Sequence, residues 1–96
     1  MKDSQSLNNQ RPAHLLTVCI DVAKYPDDLM FAARIAMRVN PKSFVLIGGN
    51  EQLEVMLVNF GFIIEVIQDR SMMPFGAFEL VPEIVAEAKK QAARGN

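Results

Sequence analysis

Three short apolar runs constrain this chain more than anything else in it. They are HLLTVCIDV at 14–22, SFVLIGG at 43–49 and FIIEVIQD at 62–69. Each has strand length and is rich in Val and Ile, and each is followed by a stretch long enough for a helix. The first run is apolar on both faces apart from Thr17, as a strand buried between two layers requires. In the third, Ile63, Glu65, Ile67 and Asp69 alternate with Phe62, Ile64, Val66 and Gln68. Glu65 would be costly in the middle of a sheet, which places this strand at an edge.

The intervening segments carry helix signals. Pro26, Asp27 and Asp28 suit the start of a helix over DDLMFAARIAMRVN, which stops before Pro41. Asn50 is placed to cap EQLEVMLVNF, and Gly61 stands where a left-handed residue ends it. VPEIVAEAKKQAAR is a helix with Pro82 in its first turn. RSMMPFGAF reads as an apolar loop or a short irregular strand.

The pattern predicts a small three-layer β-α-β-α-β-α sandwich around a three-stranded parallel sheet. Right-handed crossovers would put helices on both faces. The evenly apolar first strand favours the spatial order 2-1-3, with 3-2-1 as the alternative. Residues 1–13 are polar and end in Arg-Pro, so they read as a flexible tail before a single domain over 14–96.

Composition removes several functions. Charges nearly balance at −1, which argues against broad nucleic-acid binding through a basic face. Cys19 is the only cysteine and His14 the only histidine, so no disulfide and no Cys/His metal site is expected, and no cofactor either. The N-terminus lacks an apolar signal region and no run approaches a membrane span, so a cytoplasmic protein is expected.

Candidate chemistry gathers beyond the carboxyl ends of the strands, where open parallel sheets bind ligands. Asp21 ends the first strand, Gly48-Gly49-Asn50 follows the second, and Asp69-Arg70 follows the third. The glycines would let N–H groups approach an anion at a helix N-terminus. However, G-x-G-x-x-G and the phosphate-loop Lys-Ser/Thr are both missing, so a tight turn is favoured. Asp69 beside Arg70 suggests a surface ion pair. Cys19, in mid-strand, reads as a buried hydrophobe rather than a nucleophile, and His14 as structural. Arg34 and Arg38, one turn apart, read as a solvated stripe.

VLIGGNEQLEVMLVNFGF resembles the late strand-helix-strand of anti-sigma-antagonist (STAS) domains. That likeness implies a segment carrying a phosphorylatable serine, which CIDVAKYPDDLMFAA lacks. CIDVAKYPDDLMFAARIAMRV is similar to DsrE-like sulfur-relay proteins, whose reactive cysteine has no counterpart further along. Neither likeness assigns the chain to a family.

The strongest functional signal is surplus apolar surface. Val55 and Val58 sit amid the polar face of the second helix, and Met72, Met73, Phe75 and Phe78 follow in the loop. These residues predict an interface, in a homodimer or with another protein, and a non-enzymatic contact function. The alternative is a small-anion or nucleotide-like ligand held by Asp21, Gly48, Gly49, Asn50, Asp69 and Arg70. A small hydrolase or transferase ranks last, because no nucleophile–base set can be assembled.

Overall fold

The computed structural model describes residues 15–94. His14, the tail at 1–13 and the last two residues lie outside the described residues. Four strands and three helices follow in the order β1 (Thr17–Asp21), α1 (Leu29–Met37), β2 (Ser43–Ile47), α2 (Glu51–Asn59), β3 (Ile63–Ile67), β4 (Phe78–Glu79) and α3 (Pro82–Arg94). Single 3-10 turns at Val22–Lys24 and Arg70–Met72 complete the set. The α/β class and the parallel sheet are as the sequence pattern predicts.

The sheet differs from expectation in count and order. It has four parallel strands in the order β3-β2-β1-β4. The favoured order 2-1-3 is therefore wrong, and the alternative 3-2-1 describes the first three strands. β2 is as uniformly apolar as β1, so hydropathy did not distinguish which of them lies beside β3. The fourth strand is only two residues long and sits within the apolar loop, where no alternation betrays it. β3 does lie at an edge.

The handedness of the crossovers also overturns the three-layer expectation. From β1 to β2 to β3 the chain steps one way across the sheet, so right-handed connections lay α1 and α2 on one face. From β3 to β4 it steps back across the whole sheet, so residues 68–77 pass over the other face. α3 then returns to pack on α1. All three helices thus share one side, and a helix-free strap crosses the other.

Two cores follow from this arrangement. Under the helices, Val18, Ile20, Phe44 and Leu46 pack with Ala32, Ala33, Leu53, Leu57 and Val85. The buried alanines on α1 let that helix approach the sheet closely. Phe44 and Phe62 meet edge to face, with ring centroids 5.1 Å apart. On the strap side Cys19, Val45, Ile47 and Ile67 are buried, with Met73 and Ala77 laid over them.

Helix ends follow the sequence signals with small shifts. α1 begins at Leu29, two residues later than expected, because Pro26–Asp28 form a turn first. α2 closes in a Schellman motif: Phe62 N–H donates to the Leu57 carbonyl (3.0 Å) and Gly61 N–H to that of Val58 (2.9 Å). Gly61 takes φ +91°, as that motif requires.

Candidate functional site

The order of this sheet reverses between β1 and β4, because β1 continues into β2 on one side while β4 arrives on the other. Beyond the carboxyl ends of these two strands lies the place where open α/β sheets bind ligands. Four charged side chains meet there: Asp21, Lys24, Arg70 and Glu79. Asp21 is the last residue of β1 and Glu79 the last of β4, whereas Arg70 comes from the strap and Lys24 from the 3-10 turn after β1.

The geometry is a closed ion-pair network. Arg70 Nη1 donates to Asp21 Oδ2 at 3.0 Å, and Arg70 Nη2 donates to Glu79 Oε1. Lys24 Nζ donates to Glu79 Oε2 at 3.3 Å, and Ala23 N–H to Asp21 Oδ1 at 3.2 Å. All four carboxylate oxygens therefore accept a hydrogen bond, and two cations balance two anions. Burial works against the Glu79 carboxylate, but hydrogen bonds from Arg70 and Lys24 outweigh it and hold its pKa below the ordinary value. The hydrogen bond to Glu79 raises that of Arg70. Such a cluster clamps the strap to the sheet, and each of its carboxylate oxygens already accepts a hydrogen bond.

Beneath it lies Cys19, fully buried and paired in register with Glu79 across the β1–β4 contact. Desolvation, aided by Glu79, pushes its thiol up to about 11. Burial and the raised pKa keep this thiol protonated at neutral pH, as for a small core side chain. Tyr25 is likewise pushed up to about 12, mainly by burial. Its hydroxyl donates to the Leu80 carbonyl at 2.7 Å.

The predicted ligand residues all lie at or just after the carboxyl ends of β1, β2 and β3, and each is engaged in local structure. Asp21 and Arg70 are brought together, as partners of each other. Asp69 pairs with neither; it caps the strap's 3-10 turn, accepting from the Ser71 hydroxyl and, at 2.8 Å, from Ser71 N–H. Those two bonds lower its pKa. The ion pair expected between Asp69 and Arg70 does not form.

The glycine corner is committed to structure. Gly48 N–H donates to the Ile67 carbonyl (2.8 Å), extending the β2–β3 pairing. Asn50 Oδ1 accepts from Leu53 N–H and Glu54 Oε2 accepts from Asn50 N–H, both at 3.0 Å, a reciprocal cap. The Glu54 carboxylate therefore occupies the anion position at the N-terminus of α2. Gly49 has φ +68°, and a Cβ there would meet Val66 Cγ1 at 3.0 Å and Glu54 Oε2 at 3.1 Å. These glycines are required by the turn itself.

A cleft of ≈ 510 Å³ opens beside the β1–α1 loop, lined by Tyr25, Asp27, Asp28, Phe31, Asn50 and Lys89 among others. Its one lysine already donates to Asp28 Oδ2 at 2.6 Å and lies over the Phe31 ring. Among the described residues no group of His, Cys, Asp and Glu could hold a metal, and no helix is long and apolar enough to cross a membrane.

The predicted interface residues divide between two places. Val55 and Val58 are exposed on the outer side of α2, where they share a shallow groove with Ile64 beside β3. Phe60 at the end of α2 and Val66 on the helix side of β3, which sequence reasoning did not single out, are exposed too, and Ile63 is exposed on the strap side of β3. Met72 and Phe75 stand exposed on the strap, Met73 turns inward, and Phe78 lies in β4 at the opposite edge of the sheet. Arg34 is exposed on α1 and Arg38 at its C-terminal cap.

Lys24 and Glu79 were missed as members of the switch-point cluster, and Tyr25 as the buried link to Leu80. Only the placement of β4 beside β1 makes them neighbours, and two residues of strand carry no readable period. No protein-family model, curated protein or solved structure matches the chain.

Proposed function

We propose that this protein is a non-enzymatic interaction module that binds another protein chain through the outer side of α2 and the edge of β3. The observation carrying the proposal is the free edge itself. β3 has β2 on one side and, among the described residues, no strand on the other, yet Val66 is exposed on its helix side, where Val55 and Val58 share a groove with Ile64, and Ile63 is 65% exposed on its strap side. Its five residues carry no Lys or Pro and a single charge, Glu65, so the edge is apolar at the other four positions. The self-cancelling charges at the switch point support the absence of catalysis.

The test is retention of protein by the immobilised chain, compared with a Val58→Glu/Ile63→Lys double variant, with sedimentation separating a second copy from a different protein. Partners lost in the variant at unchanged melting temperature support the reading. A monomer that retains nothing the variant loses overturns it.

A second reading, a small polar ligand, has one observation in its favour: the ≈ 510 Å³ cleft at the carboxyl ends of the strands. It predicts that phosphate or a nucleotide raises the melting temperature and shifts the amides of the 48–50 corner. Unmoved amides would retire it.

A further inference from the structure

The edge of β3 has a chemistry that selects its occupant. The Ile67 carbonyl accepts from Gly48, so the main chain of Ile67 faces β2. Alternation turns Ile63 and Glu65 the same way and directs the N–H and C=O of Ile64 and Val66 outward. Outward groups on a regular strand are a template for one more strand. From Ser43 to Asp69 the chain carries Glu51, Glu54, Glu65 and Asp69 and no Lys, Arg or His; Lys42 stands before β2, one strand inward. The edge is therefore acidic as well as apolar, which disfavours nucleic acid and anionic lipid alike.

A second copy of β3 is a poor occupant. With Ile64 and Val66 supplying the hydrogen-bonding pairs, a two-fold antiparallel pairing centres on residue 64, 65 or 66. The register centred on 65 sets Glu65 directly opposite its copy, where like charges destabilise, and the other two set the carboxylates diagonally, about 7–8 Å apart. The two faces of the edge also differ. Ile64 and Val66 lie on the helix side, continuing the apolar surface of Val55 and Val58, whereas Glu65 lies on the strap side.

Resting on the interaction reading above, we infer that β3 accepts an extended segment of a different protein, with alternating apolar and basic residues, as a fifth strand of the sheet. Apolar side chains of the segment continue the surface of Ile64 and Val66, and its Lys or Arg side chains meet Glu65. Main-chain hydrogen bonds supply affinity, and the alternation supplies selectivity.

The probe is a fluorescent seven-residue peptide alternating Lys and Val, compared with one alternating Glu and Val, titrated with the full chain at low and high salt. The Lys/Val peptide is expected to bind, more weakly in high salt, and the Glu/Val peptide to fail. Glu65→Lys should weaken the first by about tenfold and reverse the preference. Val66→Pro, which removes an outward N–H, should weaken it similarly at an unchanged melting temperature. Equal binding of both peptides, or indifference to Glu65→Lys, overturns the inference. So does a β3–β3 dimer trapped through Ile63→Cys, or failure of both peptides while the Val58→Glu/Ile63→Lys variant still sheds bound protein. These last two results leave the interaction reading intact.

Discussion

The Tyr25 hydroxyl donates to the Leu80 carbonyl at 2.7 Å in a buried bond that ties the loop after β1 to the corner between β4 and α3. Tyr25 is 2% exposed and Leu80 equally so. The bond satisfies a carbonyl at the point where a two-residue strand gives way to a helix. Tyr25→Phe keeps the ring and removes the donor, so it should cost about 1–3 kcal/mol. Denaturant unfolding of the two proteins measures it, and a difference near zero would mean that water replaces the hydroxyl.

Among the described residues, Arg70 alone joins the strap to both Asp21 and Glu79. Arg70→Gln should raise the Glu79 pKa, readable by NMR titration, because the larger of the two hydrogen-bond contributions that lower it is gone. The same variant should speed alkylation of Cys19 several-fold, since that thiol becomes reachable only when the strap lifts. An unchanged alkylation rate would show that Met73 and Ala77 hold the strap without the ion pairs.

The glycine corner makes a comparative prediction. Gly48 and Gly49 both have positive φ, but a Cβ at Gly48 meets nothing within 4 Å, whereas one at Gly49 presses on Val66 and Glu54. Both alanine variants pay the backbone strain, about 1–3 kcal/mol. Gly49→Ala should cost more, by the adjustment it forces on Val66, and melting temperatures will rank the two.

Alkaline pH should destabilise the fold. The Cys19 pKa is raised from 9.0 to about 11 and that of Tyr25 from 10.0 to about 12, both chiefly by burial. Between those values the native state holds protons that the unfolded chain has released. The stabilisation is therefore complete below pH 9 and is lost as pH rises from 9 through 12. Cys19→Ala should remove the lower part of that loss, which urea titrations at pH 8 and pH 10.5 will show.

The parts of this fold legible in the sequence are those with an extended pattern. β1 and β2 follow from continuous apolar runs such as TVCID, β3 from its alternation, and the helices from apolar stripes such as that of EQLEVMLVN. Glu65 correctly marked β3 as an edge, because a carboxylate on an interior strand lacks water. β4 and the switch point were illegible, since Phe78–Glu79 is too short for a pattern and Glu79 acquires partners only through a long-range pairing. The direction of the last crossover was hidden for the same reason: without β4, nothing shows the chain turning back.

The strap has a consequence for how the protein is made. While residues up to Ile67 emerge, the helical side can assemble, but Cys19, Val45, Ile47 and Ile67 have no cover until the following segment is synthesised and crosses back. A nascent chain at that stage presents a row of bare β-branched side chains bordered by two unpaired strand edges, the combination most prone to clumping. Release of the last quarter of the polypeptide is thus the step at which a chaperone would matter most.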